Sequence, residues 1–408
     1  MSYVVTKANW DALLENDYVT GKIAEAINVA APFREEIKRV GMTSGRMRIY
    51  GVQVGASQGQ GARAELGGMP GYGAGEYQDA TVTTKYNYAP FKISGPAETF
   101  STKKAFAEFG VRIIKDTVQG FKLFVGRQTW GDGQGTLALI NGALLAGAST
   151  ATVDSAYGVL WGSLAANTTF LIKRKMVVQF GTENNGGLGY EVATVTGTTF
   201  TFTPVLANNV ADNATISLLG SANLELTGAL AFAATAAMMT TLGLASTTYN
   251  GISRTSFPEW EGNVINAAAA LSLPNIRSMR DTIYKRTDDE ESNLMIGSTE
   301  VARDYEALLV AAQRFVPATV LSGGHSILEH DGLKFSKDSR APAKALFFFD
   351  TKHIAWAQGE EPNWLKDASG IMRVVPGQDA KEALYRWYSE VDVDEPRRMG
   401  YLFNLTVA

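Results

Sequence analysis

The stretch between Arg46 and Trp130 limits what this chain can become more than any other. Two runs of strand-forming residues, joined by a long glycine-rich connection, lead straight into one unusually long amphipathic helix. The first run, 46–54, alternates Arg46 and Arg48 with Met47 and Ile49, the period of a strand with one covered face; the second, 80–93, is rich in β-branched and aromatic residues. They read as the two arms of a hairpin. Between them lie 25 residues, 55–79, of which eight are glycine and none is β-branched. Such a segment buries too little apolar surface to offset its own ordering entropy. A connection this bare is out of place inside a compact domain, so the tip is expected to be disordered or held by another molecule.

The helix is announced by Phe106, Phe109, Ile113, Ile114, Thr117, Val118, Phe121, Phe124 and Val125 at spacings of three and four. Lys103, Glu108, Arg112, Lys115, Asp116 and Lys122 fall largely between them. Gly110, Gly120 and Gly126 each cost about 1 kcal/mol against alanine in a helix interior, which points to close approach by another backbone. The glycines of 131–135 stop the helix.

The rest of the chain divides by texture. Residues 1–42 form an N-terminal arm, with Trp10, Leu13, Leu14, then Ile23 and Ile27, suggesting two short amphipathic helices; Pro32 starts a further turn through Phe33, Ile37 and Val40. Residues 43–94 are the hairpin and 95–143 carry the long helix. From 144 to 220 the sequence turns to Thr, Val, Gly and Asn in short alternating runs (148–154, 170–178, 190–196, 199–203, 214–219). This predicts an inserted β-barrel or sandwich with Val153, Phe170, Ile172, Val177, Val192, Val195, Phe200, Phe202 and Ile216 as its core. Alanine-rich 228–242 and 273–286 read as helices, the second started by Pro274. A buried strand at 293–297 precedes a helix capped by Ser298, running to Arg314 and ended by Pro317. Further strands are expected at 333–335, 345–349, 371–375, 383–391 and 399–407, making 221–365 a second α+β domain and 366–408 strands returning to the first.

Composition excludes more than it selects. With 408 residues, 45% hydrophobic and a net charge of −4, the chain folds around a sizeable core and lacks the basic footprint of a nucleic-acid binder. It has no cysteine, hence no disulfide or thiolate chemistry. No signal peptide is visible, the apolar run 229–239 is too short to span a bilayer, and the sequons at Asn167, Asn213 and Asn404 read as chance matches.

No constellation asks for catalysis. His325 and His330 with Asp331 match no zinc spacing, and the run 288–291 lacks the ligand alternation and glycine of a calcium loop. The glycines of 131–135 and 186–189 do not join a strand to a helix as phosphate loops do, and no nucleophile elbow occurs. Neither an enzyme nor a cofactor or metal site is expected.

In its order of parts the chain resembles the major capsid protein of tailed bacteriophages, the Hong Kong 97 fold. The shared parts are the N-terminal arm, glycine-tipped extended hairpin, long spine helix, a second α+β domain around a central strand, and a final strand pair. Local texture agrees: 249–253 with Trp260 downstream looks like the entry to the axial domain, 331–338 precedes a strand, and 390–396 looks like the C-terminal hairpin. The resemblance covers most of the chain except the β-rich insert. It implies an α+β fold with peripheral and axial domains, and self-assembly as hexamers and pentamers into an icosahedral virion shell, built in the host cytoplasm around double-stranded DNA that is enclosed without sequence-specific binding. It also implies a separate scaffolding protein, since the arm leaves no room for a fused one, a portal protein, and decoration or cement proteins as further partners; no membrane is involved. The hairpin tip, through Gly55, Arg63, Glu65, Leu66, Met69, Tyr72 and Tyr77, and the arm, through Trp10, Leu13, Leu14 and Tyr18, would then contact neighbouring subunits. Lys85 and Lys92 lie on the hairpin, but no residue context identifies an acceptor for autocatalytic crosslinking. An encapsulin-type compartment is the alternative on the same fold, and a secreted β-rich adhesin or binding module the alternative from another class.

Overall fold

The computed structural model describes residues 4–5, 33, 36–42, 47–65, 67–99, 103–154, 158–161, 171–241, 247–287, 292–311, 319–320, 326–330, 333–366 and 370–407. Among these, no helix is long and apolar enough to cross a membrane.

Two seven-stranded sheets, a closed barrel and a projecting hairpin account for most of the strands. The first sheet runs in the order Val4–Val5, Lys85–Ser94, Ala380–Val393, Ile354–Gln358, Lys38–Gly41, with Asn363–Trp364 and Arg373–Val374 also paired to the long strand Ala380–Val393. The second runs Asn263–Asn266, Gly400–Phe403, Leu346–Phe349, Leu294–Gly297, Leu333–Lys337, Ser326–His330, Thr319–Val320. Its central strands are covered on both faces, which is why they read as unbroken apolar runs. Phe347 and Phe349 join the main core with Trp130 and Phe33, while Leu346 and Phe348 point the other way, to Ile276, Met279 and Ile283 of the helix Leu273–Arg286 and to Val301 and Tyr305 of the helix Thr299–Ala311. Both helices begin as the residues dictate: Ser272 Oγ accepts from Asn275 N at 3.3 Å with Pro274 in the first turn, and Ser298 Oγ accepts from Val301 N at 3.2 Å.

The spine helix is Lys103–Gln128, 26 residues and about 39 Å long. Its Ile113, Phe121 and Val125 are buried, Phe121 meeting Tyr385 of the long strand edge-on at 5.1 Å; the side chains of Phe106 and Phe109 lie outside the described residues. Of the three helix glycines, Gly120 and Gly126 do not serve backbone contact, and the surroundings of Gly110 lie outside the described residues. A Cβ at Gly126 would meet the Arg340 side chain at 3.1 Å, and one at Gly120 would meet nothing within 4 Å.

Six strands close the barrel in the order Thr199–Thr203, Thr150–Asp154, Ala138–Ile140, Thr215–Leu218, Val177–Phe180, Tyr190–Thr196. Its first strand precedes residue 144, because Leu139 pairs with both Asp154 and Thr215 and closes the ring. Phe180, Tyr190, Phe200 and Phe202 fill the interior with ring centroids 5.0–6.2 Å apart. Phe170 lies outside the described residues, and 171–176 is not strand: Ile172 is buried, but Lys175 takes a left-handed turn at φ 70°.

Three further expectations change. Ile354–Gln358 belongs to the first sheet and Gly400–Phe403 to the second, so the boundary at 365 divides neither sheet from the other. After Phe349 the chain crosses twice between them, and Ile354–Gln358 pairs antiparallel with Ala380–Val393. Alanine-rich 228–242 forms two short helices, Ala229–Phe232 and Ala236–Thr241, because the Ala233 and Ala234 backbone is drawn against Gly262 and Trp260. Val40 is in a strand, paired with Ala357, rather than in a helical turn. Phe33 and Glu36 are helical, and Phe33 packs on Phe349 at 4.9 Å.

Candidate assembly surface

The expected hairpin is real but its second arm is divided. Glu76–Thr83 pairs with Met47–Gly55, Met47 opposite Thr83 and Gly55 opposite Glu76, whereas after Thr84 the chain enters the first sheet as Lys85–Ser94, paired along ten positions with Ala380–Ser389. A buried threonine, Thr84, thus stands where the hairpin leaves the body.

The hairpin has two unlike faces. Tyr50, Val52, Val54, Ala80 and Val82 turn inward, with Val54 and Ala80 in the main core. Met47, Ile49 and Tyr77 turn outward, Ile49 being 61% and Tyr77 66% exposed. Alternation along a strand sets both faces at once. Beyond Gly55 and Glu76 the two limbs of the tip lose their ladder but touch backbone to backbone: a Cβ at Gly73 would fall 2.2 Å from Gly59 N, so only glycine fits there. Gly67 N donates to Ala64 O at 2.8 Å and turns the end.

Of the residues singled out from the sequence, Gly55 ends the ladder, Arg63 and Glu65 are exposed without regular structure, Tyr77 faces solvent from its strand, and Met69 and Tyr72 are almost wholly exposed. Leu66, Trp10, Leu13, Leu14 and Tyr18 lie outside the described residues, as do the side chains of His325 and His330, Asp331, and the run 288–291. The structure therefore brings the described tip residues onto one projection that contributes nothing to any core cluster.

What holds the hairpin to the body was missed in the sequence. Arg48 forms an ion pair with Asp392 of the long strand, and Tyr50 Oη donates to the other carboxylate oxygen at 2.7 Å; the Arg48 guanidinium also lies 5.2 Å from the Tyr50 ring centre. Burial raises the Asp392 carboxyl, with Tyr50 and Arg48 opposing, and burial likewise raises the Tyr50 phenol. Deeper in, the buried Arg254 sits 5.0 Å from the Tyr249 ring centre and donates to Phe232 O at 3.1 Å; desolvation lowers it to about 10, so it stays charged at neutral pH. The signal was the acidic alternation Glu390, Asp392, Asp394 together with the basic alternation Arg46, Arg48 in the sequence. Alternating charge is legible in a sequence; which charges meet is not.

Beside the hairpin root, a groove of about 590 Å³ opens between Thr83–Tyr88, Phe124 and Gln128 of the spine helix, and Leu219–Ser221 with Leu224 and Glu225 of the chain leaving the barrel. Tyr86 and Tyr88, half-exposed, stand edge-on to Tyr388 at 5.3 and 5.9 Å. Among the described residues no group of three His, Asp or Glu is placed to hold a metal, and His353 lies 2.9 Å from Asp394 Oδ1.

No protein-family model and no curated protein matches the chain. Solved structures do. The capsid asymmetric unit of cyanophage A-1(L) matches with a TM-score of 0.60 at 12% identity, covering 98% of this chain and 100% of that one. The capsid of Myoviridae phage XM1 matches at 0.48 and 6% identity over 99% and 100%, and the SrpI encapsulin of Synechococcus elongatus PCC 7942 at 0.46 and 7% over 98% and 96%. The likeness to the cyanophage structure takes in the whole length of both chains, and at that identity it is a likeness of fold. The chain is an α+β protein with the Hong Kong 97-type fold of phage capsid subunits.

Proposed function

We propose that the chain is a shell-forming subunit, the major capsid protein of a tailed phage, which associates as hexamers and pentamers into a closed icosahedral head around packaged double-stranded DNA. The observation that carries this reading is the hairpin: a projection rooted by a buried ion pair, glycine-tipped, and apolar on its outward face, on a fold shared end to end with a capsid subunit. A lone subunit gains nothing from that face, and strand or surface docking on a neighbour would bury it. In the assembled shell the tip residues Arg63, Glu65, Leu66, Met69, Tyr72 and Tyr77 touch an adjacent copy, and Trp10, Leu13, Leu14 and Tyr18 of the arm touch another. A scaffolding protein, a portal and decoration proteins are the partners this function calls for. A mildly acidic subunit suits the container, since strong affinity for phosphate would oppose packing and release.

The test separates folding from assembly. Gly55 and Glu76 are direct partners, so replacing residues 56–75 by Asn-Gly closes the hairpin with a two-residue turn. The variant is expected to keep the circular dichroism of the parent and to form no shells in electron micrographs when co-expressed with its scaffold. Normal shells from it would overturn the role of the tip, and a strictly monomeric parent at high concentration would overturn the function. An encapsulin-type cage is distinguished by its content, a cargo protein in place of nuclease-protected DNA.

A further inference from the structure

The polar cluster under the hairpin root contains a carboxyl group that assembly by surface contact leaves unused. Glu390, on the long strand, is 3% exposed. Its Oε1 accepts from Thr227 N at 2.9 Å and from Val391 N at 2.8 Å, while Oε2 meets only the Thr227 hydroxyl, at 3.3 Å. The neighbouring cations are engaged elsewhere: Arg48 with Asp392, Arg127 with Glu225, and Lys85 Nζ donating to Asn223 O at 3.2 Å.

This geometry belongs to a neutral acid. Both obligatory donors, the two backbone N–H groups, fall on one oxygen. The other oxygen faces only a hydroxyl, which can accept as well as donate, and no cation lies within hydrogen-bond distance of it. A proton on Oε2 directed at Thr227 Oγ1 satisfies every partner, whereas an ionised Glu390 would be a buried charge without a counter-ion.

The position gives the proton leverage. Thr227 lies on the chain that returns from the barrel. It is followed by Gly228, where a Cβ would fall 2.3 Å from Gln128 O at the end of the spine helix, and by the buried Ala229–Phe232 helix. Gln128 in turn donates to Asn87 Oδ1 at 3.1 Å, on the strand that continues from the hairpin, and accepts from Leu226 N at 3.4 Å. Asn87 Nδ2 and Ser389 Oγ are buried without partners in the same junction.

We propose that Glu390 is kept protonated in the closed junction and that its ionisation releases Thr227, so that the joint between sheet, spine helix and barrel is fastened by a proton. The titratable groups facing it are Lys85 from the adjacent strand, Tyr249 from the short hairpin 248–253, Asp392 on its own strand with Arg48 and Tyr50 beyond, and the Arg127–Glu225 pair from the spine helix and the barrel's return chain. Burial pushes Glu390 from 4.5 up to about 7, against the pull of its hydrogen bonds and Lys85. The closed state therefore holds a proton that an opened state has lost between those two values, so stability of the junction falls as pH rises across that window and is level above it.

The experiment uses the isolated subunit, so that its outcome is independent of assembly; the shell-subunit reading is needed only for the consequence in a shell. Amide exchange at Thr227 and Val391, corrected for the intrinsic pH dependence, is expected to accelerate at least about tenfold between pH 5 and 7.5 in the parent. In Glu390→Gln it is expected to stay level, because the amide oxygen takes both N–H donors and the amide nitrogen donates to Thr227 Oγ1. Carboxyl titration of the parent by isotope-edited infrared or NMR provides a second readout that needs no variant. A Glu390 midpoint below about pH 5, or the same acceleration in the glutamine variant, would overturn the proposal. If it holds, shells formed with Glu390→Gln should lose the parent's pH dependence of hairpin exchange while still assembling.

Discussion

Inside the barrel, Phe180, Tyr190, Phe200 and Phe202 meet one another and are buried; along the hairpin, Ile49, Tyr77, Met69 and Tyr72 join no core cluster and are largely exposed. Both are antiparallel β-structures that meet near the C-terminal end of the spine helix, and both come from sequence rich in Gly and Thr or Tyr. The difference is closure. A ring of six strands has no free edge and buries one face of every strand, whereas the two-stranded hairpin leaves one face and most of both edges unused, Thr81 N donating to Asn250 O being an exception. The barrel completes its own core, and the proposed function has the hairpin completed by a neighbouring subunit. Each can be tested on the stability of the subunit, where the expected effects run from severe to nearly none.

The largest effect is expected in the barrel. Phe180→Ala removes the ring at the centre of its aromatic cluster and should cost about 3–5 kcal/mol. Because the barrel's core cluster shares no residue with the main core, the loss should appear as a separate, earlier transition in calorimetry and as new proteolytic cuts confined to 138–218. A single transition shifted as a whole would mean that barrel and body fold as one unit, and would collapse the comparison.

An intermediate effect is expected at the hairpin root. Arg48→Met keeps the length of the side chain but leaves Asp392, already raised by burial, with Tyr50 as its remaining side-chain partner, at a cost of about 1–3 kcal/mol at neutral pH. The sign follows from the carboxyl. Without Arg48 it is raised further, so protonation relieves the variant, and the deficit against the parent should shrink as pH falls from 7 to 5. Urea melts at both values check this; an equal deficit at both would show that packing of the Arg48 stem matters rather than its charge.

How far the sequence reveals all this depends on the distance over which each signal acts. Ser272 with Pro274, Ser298, and the unbroken apolar runs at 294–297 and 346–349 were legible because caps and doubly covered strands are written in adjacent residues. The bare tip was legible because absence of side chains is local too. The division of the second hairpin arm at Thr84 was not: 80–93 reads as one continuous strand, and only the competition between Met47–Gly55 and Ala380–Val393 for its edge breaks it. The exchange of Ile354–Gln358 and Gly400–Phe403 between sheets was hidden for the same reason, as were Arg48–Asp392 and Glu390–Thr227, partners 344 and 163 residues apart. Gly126 misled because its neighbour is the Arg340 side chain, which helix periodicity cannot announce.

The smallest effect should be at the tip, and it sharpens the comparison most. Met69 is 92% exposed and Tyr72 fully so; neither joins a core cluster, and neither has a hydrogen-bonded side chain among the described contacts. Replacing both by serine removes almost no buried surface, so the free energy of unfolding should stay within about 0.5 kcal/mol of the parent, the usual range for substitutions away from structural contacts. The same double change made in a barrel, at Phe200 and Phe202, would empty the core. If the hairpin is completed by a neighbour, the serine variant should behave as the parent in every measurement on the subunit and fail only when subunits are mixed at assembling concentration, through slower or aberrant shell formation followed by light scattering. A stability loss in the isolated subunit would show that the tip folds back on its own body. Unchanged shells would place the neighbour's contact elsewhere on the hairpin, on the outward Met47, Ile49 and Tyr77 face, where the same pair of measurements can be repeated.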